Sequence, residues 1–147
     1  AIKSAKTEAR CNVPNGIGVV KLMGRHAGFI AAHATLASGD VDLCLIPEVK
    51  VELDGKYGIL GHISRVLEKK GHAVVVVAEG AGEELVGASA EVDAGGNRKL
   101  PEIGPFIKDA LNRHFKAEGT TVNVKYIDPS YMIRSVAANA SAATRAV

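Results

Sequence analysis

An α/β domain, three-layered αβα around a mostly parallel sheet of about four strands, is what this sequence predicts, and three observations carry that expectation. Four apolar, strand-like runs, at about 18–22, 41–46, 73–78 and 122–127, alternate with segments of helical period, which is the βαβ pattern of a parallel sheet. The third run, His72-Ala73-Val74-Val75-Val76-Val77, is almost continuously apolar, as expected of a central strand covered by helices on both faces. The chain has 147 residues, of which 47% are hydrophobic, enough to pack the core of one domain.

The elements follow in order. Ile2, Ala5 and Ala9 share one face of an opening helix. Gly16-Ile17-Gly18 comes before the first strand instead of after it, the wrong context for a dinucleotide fingerprint. That strand runs into Met23-Gly24-Arg25, and Phe29, Ile30, His33, Leu36 and Ala37 then form a helical stripe that Gly39 stops. The second strand ends in Pro47-Glu48. Ile59, Leu60, Ile63, Val66 and Leu67 make the clearest amphipathic helix, which closes at Lys69-Lys70-Gly71. After the third strand, Gly80-Ala81-Gly82 leads into Glu83-Glu84, the acidic first turn of a helix. Residues 87–101 read as a surface loop or flap. Ile103, Phe106, Ile107, Ala110, Leu111 and His114 repeat the helical period. The last strand meets Asp128-Pro129, an N-cap with proline at the first helical position, predicting a helix to about Ala140. The amino end starts within a helix and the carboxyl end closes in small residues, so both ends read as cut.

Composition removes several function classes. With 18 basic against 16 acidic residues, net charge +2, no Lys/Arg run and no Trp, nothing points to nucleic acid. Cys11 and Cys44 lack metal-site or redox spacing, so a reduced compartment is expected. No apolar stretch approaches the roughly 20 residues of a membrane span, and no signal-peptide order opens the chain. The five histidines do not cluster, so no protein-ligated metal is expected.

In an open α/β sheet, ligands occupy the crevice beyond the carboxyl ends of the strands, and here four strands end in polar groups. Gly24 admits close backbone approach and Arg25 offers a fork of donors suited to phosphate; the same three residues also fit an ordinary strand-to-helix turn. Gly28 stands at the following helix's amino end, where anions are favoured. Glu48 at the crevice rim can accept from sugar hydroxyls, or be a solvated loop acid. Tyr131 and Arg134, three apart on one helix face, can clamp a phosphate, or be a packed phenol beside a solvated cation.

Taken together, Gly18-Val19-Val20-Lys21-Leu22-Met23-Gly24-Arg25-His26-Ala27-Gly28-Phe29-Ile30-Ala31, Val41-Asp42-Leu43-Cys44-Leu45-Ile46-Pro47-Glu48 and Lys125-Tyr126-Ile127-Asp128-Pro129-Ser130-Tyr131-Met132-Ile133-Arg134 resemble the phosphofructokinases. The resemblance runs in order from about residue 1 to about 141, after which 142–147 diverge. The Tyr-Met-Ile-Arg ending resembles the plant and trypanosomatid ATP-dependent branch, which is related to pyrophosphate-dependent enzymes. It implies the smaller, sugar-phosphate-binding domain of a cytoplasmic, allosteric 6-phosphofructokinase of glycolysis, transferring the γ-phosphoryl of Mg²⁺-bound ATP to the C1 hydroxyl of fructose 6-phosphate. By that resemblance, Met23, Gly24 and Arg25 contact the sugar and the transferring group, with Arg25 catalytic, Glu48 holds sugar hydroxyls, and Tyr131 with Arg134 holds the 6-phosphate.

The family's nucleotide-phosphate loop and the aspartate that acts as general base are absent from this segment. Alone it is therefore expected to be inactive and to bind neither Mg²⁺ nor ATP, its partners being the remainder of the chain, the sugar phosphate and further copies in a dimer or tetramer. A pyrophosphate donor, or a non-catalytic sugar-phosphate-binding or regulatory subunit, are the alternatives. Gly61-His62-Ile63-Ser64-Arg65 echoes a bacterial substrate-binding stretch, but it falls inside an amphipathic helix, where His62 and Arg65 read as surface residues.

Overall fold

The described elements follow along the chain as α1 (Ile2–Cys11), β1 (Gly16–Leu22), α2 (Phe29–Ser38), β2 (Leu43–Leu45), α3 (Ile59–Lys70), β3 (His72–Ala78), α4 (Glu83–Val86), α5 (Ile103–Ala117) and β4 (Asn123–Ile127). This is a computed structural model, and it describes residues 1–55, 57–87, 102–129 and 132. Apart from Asp128, Pro129 and Met132, the helix expected from Asp128 to Ala140 lies outside the described residues, as do the flap beyond Gly87 and residues 142–147.

The strands form one parallel sheet in the order β2-β3-β1-β4. The step from β1 to β2 runs one way along the sheet, and those from β2 to β3 and from β3 to β4 run the other. Right-handed crossovers therefore place α2 on one face and α3 with α5 on the opposite face. Two contacts agree with that layering: Lys6 of α1 pairs with Asp40 just past α2, and Ser64 of α3 lies 3.4 Å from His114 of α5. The core between the layers is aliphatic, with Ile17, Val19, Val20, Ile63, Val74, Val75, Val76, Val77, Ile103, Ile107 and Leu111 fully buried. Each such side chain contributes about 1.5–3 kcal/mol when withdrawn from water.

Two glycines of β1 explain how α1 reaches the sheet. A Cβ on Gly16 would stand 2.0 Å from the Ala9 carbonyl oxygen, and one on Gly18 would stand 2.7 Å from that of Ala5. Helix backbone thus rests directly on strand backbone, and Gly16-Ile17-Gly18 belongs to the strand instead of preceding it. Both stop signals hold: Gly39 and Gly71 close α2 and α3 in the left-handed conformation. The second strand is shorter than its apolar run, because Asp42 already spends its carboxylate on the Val74 amide (2.9 Å).

The stripe expected on α2 faces outward. Phe29 is 59% and Leu36 81% exposed, while Ala31 is buried and Ala34 packs on the core. The helix is oriented at its start, where Gly28 sits so close to Ile46 that a Cβ would be 2.3 Å from the Ile46 Cβ. That contact turns the small residues at 28, 31 and 34 inward and the large ones out. His33 goes outward with them.

Candidate active site

Because all four strands are parallel, their carboxyl ends lie at one edge of the sheet, and the structure joins the segments that leave them. The turn after β1 is bound to the turn after β3: the Glu79 amide donates to the Leu22 carbonyl and the Gly80 amide to the Gly24 carbonyl, both at 2.9 Å. Gly24 has φ +143°, a conformation that side chains rarely adopt. Gly80 meets this turn so closely that a Cβ there would be 1.8 Å from the Arg25 carbonyl oxygen. Met23, Gly24 and Arg25 are thereby fixed in place, all half-buried at the rim.

The Arg25 guanidinium stands 3.8 Å from a carboxylate oxygen of Glu79. Glu79 opens the polar group Glu79-Gly80-Ala81-Gly82 that ends the third strand-like run in the sequence, but its pairing with Arg25 was not legible there. It is the first polar residue after the buried valine run of β3, as Glu48 is after β2. On the other side of β1, the Lys21 ammonium lies 2.6 Å from the Asp128 carboxylate. Burial disfavours that ammonium, but its hydrogen bond to Asp128 and the nearby Tyr126, Asp128 and Glu79 outweigh the penalty and raise its pKa. Burial also raises the Tyr126 phenol, against the opposing pull of Lys21.

Glu48 has a partner that its position in the sequence did not suggest. One carboxylate oxygen accepts from the Gly28 amide at 2.8 Å, at the amino end of α2. The anion favoured at that helix end is the chain's own Glu48, which leaves the side chain exposed but oriented. The structure thus brings Met23, Gly24, Arg25 and Glu79 together and ties Glu48 to the α2 end of the same β1–α2 connection. Tyr131 and Arg134 lie outside the described residues. His62 is half-buried, its Nε2 3.0 Å from the Asp42 carbonyl, so it is not the surface residue expected; Arg65 is exposed.

Among the described residues no three His, Cys, Asp or Glu side chains gather around a point where they could hold a metal ion. A concavity of about 270 Å³ lies at the opposite, amino-terminal edge of the sheet, lined by Lys6, Arg10, Gly39, Asp40, Lys70 and His72. Among the described residues, no helix is long and apolar enough to cross a membrane.

The phosphofructokinase family model matches residues 1–147. The chain is 52% identical over 141 residues to the chloroplastic ATP-dependent 6-phosphofructokinase 5 of Arabidopsis thaliana, covering 96% of this chain and 26% of that protein. It is 49% identical over 146 residues to the ATP-dependent 6-phosphofructokinase of Amycolatopsis methanolica, covering 95% of this chain and 32% of the relative. Among solved structures, the phosphofructokinase of Saccharomyces cerevisiae superposes with a TM-score of 0.61 at 26% identity, over 97% of this chain and 16% of that one. A pyrophosphate-dependent phosphofructokinase from Marinobacter aquaeolei gives 0.62 at 19% identity, over 98% and 32%, a likeness of fold. The chain spans about a quarter to a third of the length of these curated relatives.

Proposed function

Since this chain belongs to the phosphofructokinase family, we propose that it forms the fructose 6-phosphate-binding part of an ATP-dependent 6-phosphofructokinase. The observation that carries the reading is the convergence of Met23, Gly24, Arg25 and Glu79 on one strand-end rim, with Glu48 fixed across the amino end of α2. Arg25 supplies positive charge beside the transferring phosphoryl group, where oriented charge stabilises a transition state that spreads negative charge over oxygens. Glu48, held by the Gly28 amide, offers its outer oxygen to sugar hydroxyls. Tyr131 and Arg134 take the 6-phosphate, so that the C1 hydroxyl is presented in line.

Nucleotide, general base and Mg²⁺ belong in this reading to the parts of the relatives that this chain does not span. A cytoplasmic, allosteric dimer or tetramer completes the reading, and identities of about 50% to ATP-dependent relatives favour ATP over pyrophosphate as donor.

The test is calorimetric titration of the full-length protein with fructose 6-phosphate, beside an Arg25→Ala, Arg134→Ala variant. Saturable binding in the wild type that disappears in a folded variant supports the assignment. Equal affinity in both would remove these arginines from the site, and no binding by a folded wild type would refute the substrate.

A further inference from the structure

We infer that the Lys21–Asp128 pair is a positioning device for the sugar-phosphate site, clamping the turn that carries Arg25 to the segment that carries Tyr131 and Arg134. The inference rests on the functional reading above and adds two residues to it. Lys21 is an anomaly in its strand, since Ile17, Val19, Val20 and Leu22 are all buried around it. An ammonium in such a place is costly unless paired, and its partner is set by the register. Val20 stands opposite Ile127 in the parallel β1–β4 pairing, so Lys21 and Asp128 form the next rung, and their charged ends meet at 2.6 Å. The Lys21 side chain is only 20% exposed and that of Asp128 36%.

The location gives the pair its role. Lys21 comes four residues before Arg25, and Asp128 comes three before Tyr131 and six before Arg134. Backbone pairing between β1 and β4 ends at Val20 and Ile127, so beyond it this ion pair links the two exits. On the other flank, Glu79 faces Arg25 at 3.8 Å and also adds favourable charge beside Lys21. Two opposite-charge pairs thus stand at the three strand exits, Arg25 with Glu79 and Lys21 with Asp128. Loosening the last link lets the group that holds one end of the sugar phosphate drift from the group that acts at the other.

The test uses the full-length enzyme with Asp128→Asn, Lys21→Met and Lys21→Arg, measuring kcat, the KM for each substrate and the unfolding temperature. Losing a charge-assisted hydrogen bond of this kind is expected to raise the KM for fructose 6-phosphate about tenfold in Asp128→Asn and in Lys21→Met. The KM for ATP should stay within about twofold, because in the reading above the nucleotide site belongs to the parts of the relatives that this chain does not span. Lys21→Arg, which keeps the cation, should restore the sugar KM. A lowered unfolding temperature with both KM values unchanged would make the pair merely structural and overturn the inference, as would equal rises in both. A wild type that turns over no fructose 6-phosphate would bring down the functional reading, and this inference with it.

Discussion

Gly80→Ala adds one methyl group at the point where two strand exits touch. The new Cβ would lie 1.8 Å from the Arg25 carbonyl oxygen and 2.7 Å from its carbonyl carbon. Ordinary contact begins at 3.4 Å, so the Arg25 backbone must retreat by roughly 1.6 Å, or the β3 exit must do so. Such overpacking costs about 1–3 kcal/mol of stability, which a domain with a margin of about 5–15 kcal/mol survives. Activity should suffer more. A misplacement of about 1 Å in a positioned reacting group costs on the order of a hundredfold, about 2.7 kcal/mol of transition-state stabilisation. In a coupled assay of the full-length enzyme, Gly80→Ala should therefore lose at least about a hundredfold in kcat/KM while remaining folded. Gly61→Ala is the control, because its Cβ would meet only the end of the Arg65 side chain at 3.6 Å inside α3. It should raise stability by about 0.5–1 kcal/mol and leave kcat/KM alone. A Gly80→Ala enzyme as stable and as active as wild type would refute the reasoning, because the close approach would then fix nothing.

Glu48→Ala should remove the acceptor at the amino end of α2, lowering stability by about 0.5–2 kcal/mol in denaturant titrations while raising the sugar KM. Glu84→Ala should leave the amide of the buried Val51 without its 2.9 Å acceptor, costing about 1–3 kcal/mol, whereas Glu84→Gln, which keeps a carbonyl there, should cost less. Asp40 is held below the ordinary carboxylate range by its hydrogen bond to Lys6. Its contribution is therefore present above an unfolded pKa of about 3.9 and lost as pH falls through the lower folded value. The gap in unfolding temperature between wild type and Asp40→Asn should accordingly be open at neutral pH and close toward pH 3.

Much of the fold was legible because it rests on periodicity. The α3 stripe, the valine run of β3 and the glycine stops at 39 and 71 each report a local preference, and none required knowledge of a distant neighbour. The readings that failed concern which neighbour arrives. Nothing local in Gly16-Ile17-Gly18 tells that α1 backbone will lie on those residues, and α2 turned its smaller residues inward because Gly28 meets Ile46. The same division holds at the site. Met23-Gly24-Arg25 and Glu48 stood out as polar strand ends, whereas the Arg25–Glu79 and Lys21–Asp128 pairs arise from strand order and register, which a single sequence does not display.

The strand order also governs when this domain can assemble. Only β2 and β3 are neighbours both in sequence and in the sheet, so the β2–α3–β3 unit can close as soon as it is synthesised. β1, made earlier, has to wait: both of its partners come later, and β4 is the last strand among the described residues. Closure of such long loops delays pairing, and an unpaired apolar strand is exposed to association with other chains in the meantime. A chain interrupted before Asn123 would leave one backbone edge of β1 open along its whole length. Such truncated chains should associate with one another at concentrations where the complete sequence stays dispersed, a difference that light scattering during refolding would show.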